Sequence, residues 1–518
     1  MSGLLALLRL DGAPVGDDAL ARMAATLVQR GPEATRLWHD GRAGLGHTLL
    51  ATTPEAAREP MPFRHAATGC VITADARLDN RDELLPLLGL ADRKDTCGDG
   101  EVLLEAYLKW GPPGLARLLG DFAFVLWDPR RQALIAARDV FGMRPLCWHR
   151  SDRLLAIASE PKAILALPEV PREIDIGRTA DFLIPELEGI DKTSTFWCGI
   201  ERLPPAHVLV ADARGTRIER YWSPEEVAEL KLASSADYDE AFLDLLAQSI
   251  RARLRSVGPV AAMLSGGMDS GSIVAVASKL LREADQPPLV TFSAVGPDPA
   301  TCTETRLARA TAAHCGTDAH FINYDDLGDL MPELAHAMAA SSEPFDYNMS
   351  LPCSVFMSAK RKGHKVVLSG AAGDNVLDAG LYVPRLLLSG RWRQLVRVGA
   401  GLVRFWGAGP ARSLLLDQLS PALVPPPVFR RLRAWQFHRW TRSAIARGAI
   451  TAERARLAHL PERYRTLHAR FPIGVRHPYA LERWQWIDLP YLVIGLERYD
   501  RVAGAQGIEL REPFLDRR

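Results

Sequence analysis

Val260-Ala-Ala-Met-Leu-Ser-Gly-Gly-Met-Asp-Ser270 decides how the rest of the chain reads: five apolar residues, a Ser-Gly-Gly turn, then a helical pattern over Ser270–Leu281. A strand that enters a glycine turn and leaves as a helix brings backbone N–H groups and the positive end of the helix dipole to one point, which makes an anion site. Gly266 and Gly267 let the backbone approach a phosphate closely, and Ser265 and Ser270 add hydroxyl donors. The alternative is a plain glycine turn with a capping serine. No Gly-Lys-Ser/Thr follows, so the loop is not of the Walker type. Asp269 cannot donate to a phosphate, and a carboxylate in that position implies a divalent cation, most simply Mg²⁺. Val366-Val-Leu-Ser-Gly-Ala-Ala-Gly-Asp374 repeats the pattern and places a second carboxylate after a strand. Ligands of open α/β sheets bind at that edge, so Asp269 and Asp374 are read as holding Mg²⁺ against a triphosphate.

Outward from this loop, residues from about 237 onward alternate strands with helices: helix Tyr238–Arg255, strand Leu289-Val-Thr-Phe292, helix Glu304–His314 and strand Lys365-Val-Val-Leu368. That rhythm predicts a parallel sheet with crossover helices. Residues 1–222 read differently, as short β-type runs such as Phe122-Ala-Phe-Val-Leu-Trp127 and Leu154-Leu-Ala-Ile-Ala158, with helical patterns at Arg81–Leu88 and Gly100–Trp110. They predict a β-rich layered domain with helices on its outer faces. Polar residues 223–236 form the expected linker.

The composition is globular: 518 residues, 63 Lys+Arg against 62 Asp+Glu for a net charge of +1, and 47% hydrophobic. The length suits two to four domains, and disorder is excluded. No apolar run is long enough to span a bilayer, the N-terminus lacks the features of a signal peptide, and the seven scattered cysteines show no paired spacing. A cytoplasmic protein without disulfides, a transmembrane span or a nucleic-acid partner is expected. Residues 385–470 depart from this neutrality, with 17 Arg, no Lys and only Asp417, Glu453 and Glu462, together with Trp392, Trp406, Trp435 and Trp440. The segment reads either as a helical insertion with solvated arginines or as a docking surface for an acidic, partly aromatic partner.

Taken together, Ser265-Gly-Gly-Met-Asp-Ser270, Leu368-Ser-Gly-Ala-Ala-Gly-Asp374 and Gly507-Ile-Glu-Leu-Arg-Glu-Pro-Phe-Leu-Asp516 resemble the asparagine synthetase B superfamily. Arg30-Gly-Pro-Glu33, Leu45-Gly-His47, Gly120-Asp-Phe-Ala-Phe124, Ala158-Ser-Glu-Pro-Lys162 and Leu203-Pro-Pro-Ala206 follow that superfamily's order in the N-terminal half. The resemblance implies an N-terminal glutaminase-type αββα sandwich (1–222, Ntn-hydrolase-like) and an ATP-pyrophosphatase α/β domain (237–518) carrying 385–470 as a basic helical insertion. It implies that Ser265, Gly266, Gly267, Asp269 and Ser270 cradle pyrophosphate with Mg²⁺, that Asp374 is the second metal ligand, and that Leu264, Phe292, Ser369 and Gly370 border the AMP moiety of ATP. It also implies a catalytic Lys beyond Pro513-Phe-Leu-Asp516, in a chain that ends at Arg518.

The departures from the superfamily pattern reshape the expected chemistry. A glutaminase of this type needs Cys where Ser2 stands, and a hydroxyl is far less ionised than a thiol at neutral pH. The segment that binds glutamine and the oxyanion reads Asp75-Ala-Arg-Leu-Asp-Asn80. Asp75 puts negative charge where an oxyanion would develop, and Arg77 removes a carboxylate partner for the substrate ammonium. The glutaminase half is therefore expected to be a retained scaffold. In the synthetase half, Ala371 occupies the place of an acid–base Glu, and Asp378-Ala379 replaces Gly-Gly. This combination is similar to β-lactam synthetases, carbapenam synthetases and lasso-peptide macrolactam cyclases, most of all the last, because of the basic Trp-containing insertion.

These readings predict ATP-dependent macrolactam formation in a ribosomal precursor peptide, aided by a leader-recognition protein and a leader peptidase. An Asp or Glu side chain would become an acyl-adenylate and the peptide's N-terminal amine would displace AMP. Glu343, with Asp346, is expected to orient that amine. The alternatives are a small-molecule synthetase, either a β-lactam former or an ammonia-dependent asparagine synthetase, and a non-catalytic peptide-binding scaffold.

Overall fold

The computed structural model describes the chain except residues 224–226, 228, 229, 297, 299, 340, 378–381, 425 and 470–486. Asp378-Ala379 and part of the expected linker lie outside the described residues. Two compact units result: residues 1–173, 192–373 and 493–518 form the first, and residues 174–191 and 374–492 form the second.

The N-terminal part of the first unit stacks two six-stranded sheets. One runs in the order Ile200–Arg202, Cys147–Arg150, Leu154–Ala158, Gly3–Arg9, Ala43–Leu49, Ala34–Asp40. The other runs Gly215–Arg220, His207–Asp212, Ala133–Arg138, Gly120–Asp128, Val71–Leu78, Phe63–Arg64. Alternation along single strands explains the layering. Ala123, Val125 and Trp127 face Leu4, Ala6 and Leu8 between the sheets, whereas Phe122, Phe124 and Leu126 face outward onto Val102, Leu103 and Ala106 of helix Asp99–Gly114. Leu5 and Leu7 meet Leu20 and Met23 of helix Asp17–Ala25 on the opposite side. The result is the expected αββα sandwich. Helix Asp17–Ala25 and strand Ala34–Asp40 escaped the sequence reading, because the first is short with charged starts and the second lies at a sheet edge with most of its residues exposed.

The rest of the first unit is a five-stranded parallel sheet built from β1 (Val260–Met263), β2 (Val290–Val295), β3 (Asp318–Asn323), β4 (Val366–Leu368) and β5 (Glu509–Arg511), in the order β3-β2-β1-β4-β5. Helix α1 (Ser235–Arg253) precedes β1 and starts at a capping box, in which Ser234 and Asp237 satisfy each other's backbone amides. Helices α2 (Met268–Glu283), α3 (Thr303–Cys315) and α4 (Ser350–Arg361) supply the crossovers. From β1 the chain moves outward to β2 and β3, then returns to β4 on the other side. The crevice between β1 and β4 is thus the topological switch point at which such sheets bind ligands. Strands β3 and β5 were not predicted as strands, since neither shows a run of apolar residues with strand periodicity.

The second unit is helical, with its own core: Ala180, Ile184 and Leu187 pack with Ala444, Ile450, Ala455, Leu460 and Tyr464. Residues 174–191, inside the expected N-terminal domain, thus share a core with the insertion. Arg463 pairs with buried Asp181 at 2.5 Å, and burial still pushes the Asp181 carboxyl up to about 7. No helix among the described residues is long and apolar enough to cross a membrane.

Candidate active site

Strand β1 ends at Met263, and the Leu264 amide still donates to the Phe292 carbonyl at 2.9 Å, so the loop leaves the sheet level with β2. Gly266 then turns with φ +86°, and a Cβ there would stand 2.3 Å from the Glu304 carbonyl oxygen of α3. Only glycine fits both the angle and the space. Ser265 and Ser270 close the loop. Their hydroxyl oxygens lie 3.0 Å apart, the Ser265 amide donates to the Ser270 hydroxyl at 3.2 Å, and the Gly267 amide donates to the Ser265 hydroxyl at 3.3 Å. Gly267 is the N-cap of α2 and no side chain caps that end, so the positive end of the helix dipole faces the loop.

The second loop packs on the first, backbone to backbone. A Cβ on Gly370 would lie 2.6 Å from the Ser270 amide nitrogen, and one on Gly373 would lie 2.4 Å from an Asp269 carboxylate oxygen. Between them Ala372 takes φ +65°, a left-handed conformation that costs a residue with a Cβ about 1–2 kcal/mol. The Ser369 amide donates to the Arg511 carbonyl at 3.0 Å, and the Ser369 hydroxyl accepts the Ala371 amide at 3.0 Å, which ties the loop to β5.

The structure thus brings together Leu264, Ser265, Gly266, Gly267, Asp269, Ser270, Phe292, Ser369 and Gly370. Ser265 and Gly267 are exposed and Asp269 is half-buried, whereas the side chains of Leu264 and Phe292 are buried. The Phe292 ring lies against His320 and His364, at centroid distances of 5.2 and 5.8 Å, so what residue 292 offers at the loop is its carbonyl. Asp374 follows Gly373 directly, is exposed, and is the first residue of the second unit's main segment. Among the described residues no group of three or more His, Cys, Asp or Glu is placed to hold a metal by itself. Asp269 and the serine hydroxyls instead offer a few hard oxygen donors beside an anion site. That set suits Mg²⁺, which binds through one or two carboxylates and completes its shell with phosphate oxygens and water.

Glu343 belongs to a separate network. It is buried, bonded to Arg501, and 3.5 Å from Arg202, which in turn pairs with Glu497 at 2.5 Å. Asp346 pairs with Arg498 at 2.9 Å. These two carboxylates line or adjoin a cleft that also contains Lys162, Phe345 and Met349.

Sequence reasoning missed Glu512, quoted only as part of the Pro-Phe-Leu-Asp motif. Its carboxyl is fully buried beside the Ser369 hydroxyl and the Ala371 amide, and neither oxygen has a hydrogen bond of good geometry. Burial pushes this acid up to about 8. A carboxyl group therefore stands next to the loop in which Ala371 replaces the superfamily's Glu, although nothing in the local pattern around Glu512 marks it from sequence.

The expected glutaminase site is filled by the chain's own charges. The Ser2 amide donates to Asp75 at 3.1 Å, and the Ser2 hydroxyl accepts the Leu50 amide at 3.1 Å. The Asp75 carboxylate lies 4.0 Å from both Arg30 and Arg144. Arg30 is fully buried and pairs with Asp500 at 2.6 Å and Glu160 at 3.1 Å. Arg77 pairs with Asp79 at 2.8 Å and Asp121 at 2.7 Å, and Arg144 pairs with Glu509 of β5 at 2.7 Å. The Met1 side chain is buried with Ala261, Phe292 and Val367, in the core of the parallel sheet.

A sandwich with serine after the first methionine, joined to a Ser-Gly-Gly loop at the switch point of a parallel sheet, defines the class. The chain belongs to the asparagine synthase family, whose profile matches residues 241–518, and residues 1–222 match the glutamine amidotransferase domain. The family comprises ATP-dependent carbon–nitrogen ligases. Among curated relatives, asparagine synthetase [glutamine-hydrolyzing] 3 of Bacillus subtilis (strain 168) is 32% identical over 278 residues, which cover 52% of this chain and 44% of that protein. Asparagine synthetase [glutamine-hydrolyzing] 1 of the same organism is 25% identical over 533 residues, covering 97% of this chain and 77% of that protein. Among solved structures, glutamine phosphoribosylpyrophosphate amidotransferase from B. subtilis aligns over 62% of this chain and 81% of its own, with 14% identity and a TM-score of 0.32.

Proposed function

We propose that this chain uses ATP to activate a carboxylate and joins it to an amine other than ammonia drawn from glutamine, with carboxylate and amine both supplied by a ribosomal precursor peptide. One observation carries the proposal: the loops after β1 and β4 pack closely on each other at the switch point, while the site that would release ammonia holds Asp75 bonded to the Ser2 amide and flanked by Arg30 and Arg144. A carboxylate oxygen of the substrate attacks the α-phosphorus of ATP, forming an acyl–O–P bond as pyrophosphate leaves. The amine nitrogen then bonds to the acyl carbon, AMP departs with the C–O electron pair, and the amine loses a proton. Ser265, Gly267 and the start of α2 hold the departing pyrophosphate. Asp269 and Asp374 are the residues that would bind Mg²⁺, which would offset phosphate charge.

The peptide reading rests on Ala371 in place of an acid–base Glu and on the arginine-rich segment 385–470, whose helix Pro426–Ala446 places Arg430, Arg431 and Arg433 in one turn. A lasso-peptide cyclase would also need a leader-recognition protein and a leader peptidase. Asp346, in the arginine-lined cleft, and Glu343, buried behind it against Arg501, are our candidates to orient the amine. A second reading is an asparagine synthetase, as the relatives are named; those names read glutamine-hydrolyzing, and with Asp75 bonded at the Ser2 amide this chain would take free ammonia instead. ATP–pyrophosphate exchange separates them. Exchange that requires a peptide with an internal Asp or Glu supports the cyclase, exchange with free aspartate supports the synthetase, and none with either leaves a peptide-binding scaffold.

A further inference from the structure

Helix α5 (Trp392–Trp406), in the second unit, buries none of its residues although it is mostly apolar. It lies against helix α6 (Ala408–Leu423), where Gly399 faces Leu415, and its half-buried Leu395, Val398 and Leu402 belong to that side. The flank beside it is open. Trp392 (59% exposed), Val396 (71%) and Val403 (44%) follow one another at helical spacing, and Trp406 (58%) adjoins them at the C-terminal end. Arg393, Arg397 and Arg404 form a second stripe beside the first. From Ala379 to Leu416 the chain has six arginines and no acidic residue.

From this arrangement we infer that α5 docks the protein onto an anionic lipid surface. An apolar stripe that carries Trp at both ends and is bordered by Arg is the pattern of a helix lying in the headgroup layer. Its 15 residues reach only about 22 Å, short of a hydrocarbon core of about 30 Å, so it lies in the interface and does not span it. Charge decides among occupants. A second copy pairing through the same face would set arginine against arginine, which opposes association. A peptide that reads side chains needs a groove, and here the large side chains project outward. A planar surface of anionic headgroups matches both stripes, with arginines at the phosphates and Trp392, Val396 and Val403 at the acyl boundary. This inference does not rest on the proposed reaction: it gives α5 to the lipid surface and leaves helix Pro426–Ala446 of the same arginine-rich segment for a peptide.

The test is co-sedimentation of the full chain with phosphatidylcholine vesicles, with and without phosphatidylglycerol. Binding is expected only to the anionic vesicles and should weaken as salt is raised. Val396→Asp with Val403→Asp should abolish it, and Arg393→Gln, Arg397→Gln and Arg404→Gln together should weaken it about 100-fold. All these side chains are exposed, so an unchanged thermal melt is expected. Lack of binding to anionic vesicles, or binding that survives Val396→Asp with Val403→Asp, overturns the inference. So does a result in which these variants lose precursor-peptide binding and keep vesicle binding, because the face would then be a peptide site.

Discussion

The α-carbon of Gly370 sits so close to Ser270 that a Cβ on it would stand 2.6 Å from the Ser270 amide nitrogen, and this contact sets the loops after β1 and β4 against each other. Gly370→Ala must push them apart by about an ångström. A displacement of that size in a positioning element costs roughly 100-fold in rate. ATP–pyrophosphate exchange should therefore fall by about that factor while far-UV circular dichroism is unchanged. Full exchange by Gly370→Ala would show that the loops do not act together.

Asp269 opens α2 beside Gly373 and is assigned to the cation. Asp269→Asn keeps the shape and removes the charge, so exchange should drop at least about 100-fold, on the scale of losing one electrostatic stabiliser at a reacting centre. Helix stability should change little, since a first-turn acid contributes only about 0.3–1 kcal/mol. Titrating Mg²⁺ against residual activity checks the assignment, and an unaltered Mg²⁺ requirement at full rate would remove Asp269 from it.

Glu512 gives a pH signature. Burial raises its acid in the folded chain to about 8, against 4.5 in an unfolded one. Folding therefore takes up a proton between these values. Stability contributed by this group is constant below about 4.5, falls as pH rises toward 8, and stays low beyond. Glu512→Gln removes the penalty, so its melting temperature should match the parent near pH 5 and exceed it at pH 8. Parallel thermal melts at both values measure this. A parent that gains stability from pH 5 to 8 relative to the variant would contradict the buried, protonated carboxyl.

Ser2→Cys should not restore glutaminase activity. The Asp75 carboxylate still holds the residue-2 amide and still places negative charge where an oxyanion would form. Ammonia release from glutamine should stay at background in Ser2→Cys. Turnover in this variant would show that the pocket is open.

Much of this was legible because the decisive signals are local. The glycines at 266, 267 and 370 and the strand-loop-helix rhythm mark backbone positions directly, and the structure places them around one crevice. The apolar run from Phe122 to Trp127 likewise read as a strand, and the structure covers both of its faces. What was not legible depends on distance along the chain. Arg144 meets Glu509 and Glu343 meets Arg501 only after folding, and no spacing rule joins residues 365 or 158 positions apart. Glu512 is unremarkable until its burial is known. Residues 174–191 share a core with helices some 270 residues later, so a boundary read from composition passes over them.

The most direct test of the account is ATP–pyrophosphate exchange by the full chain, measured with a precursor peptide bearing an internal Asp or Glu and, separately, with free aspartate and ammonium. The account predicts exchange that depends on the peptide, with AMP and a product lighter by one water. Exchange supported by free aspartate, with asparagine as product and no response to the peptide, would contradict it.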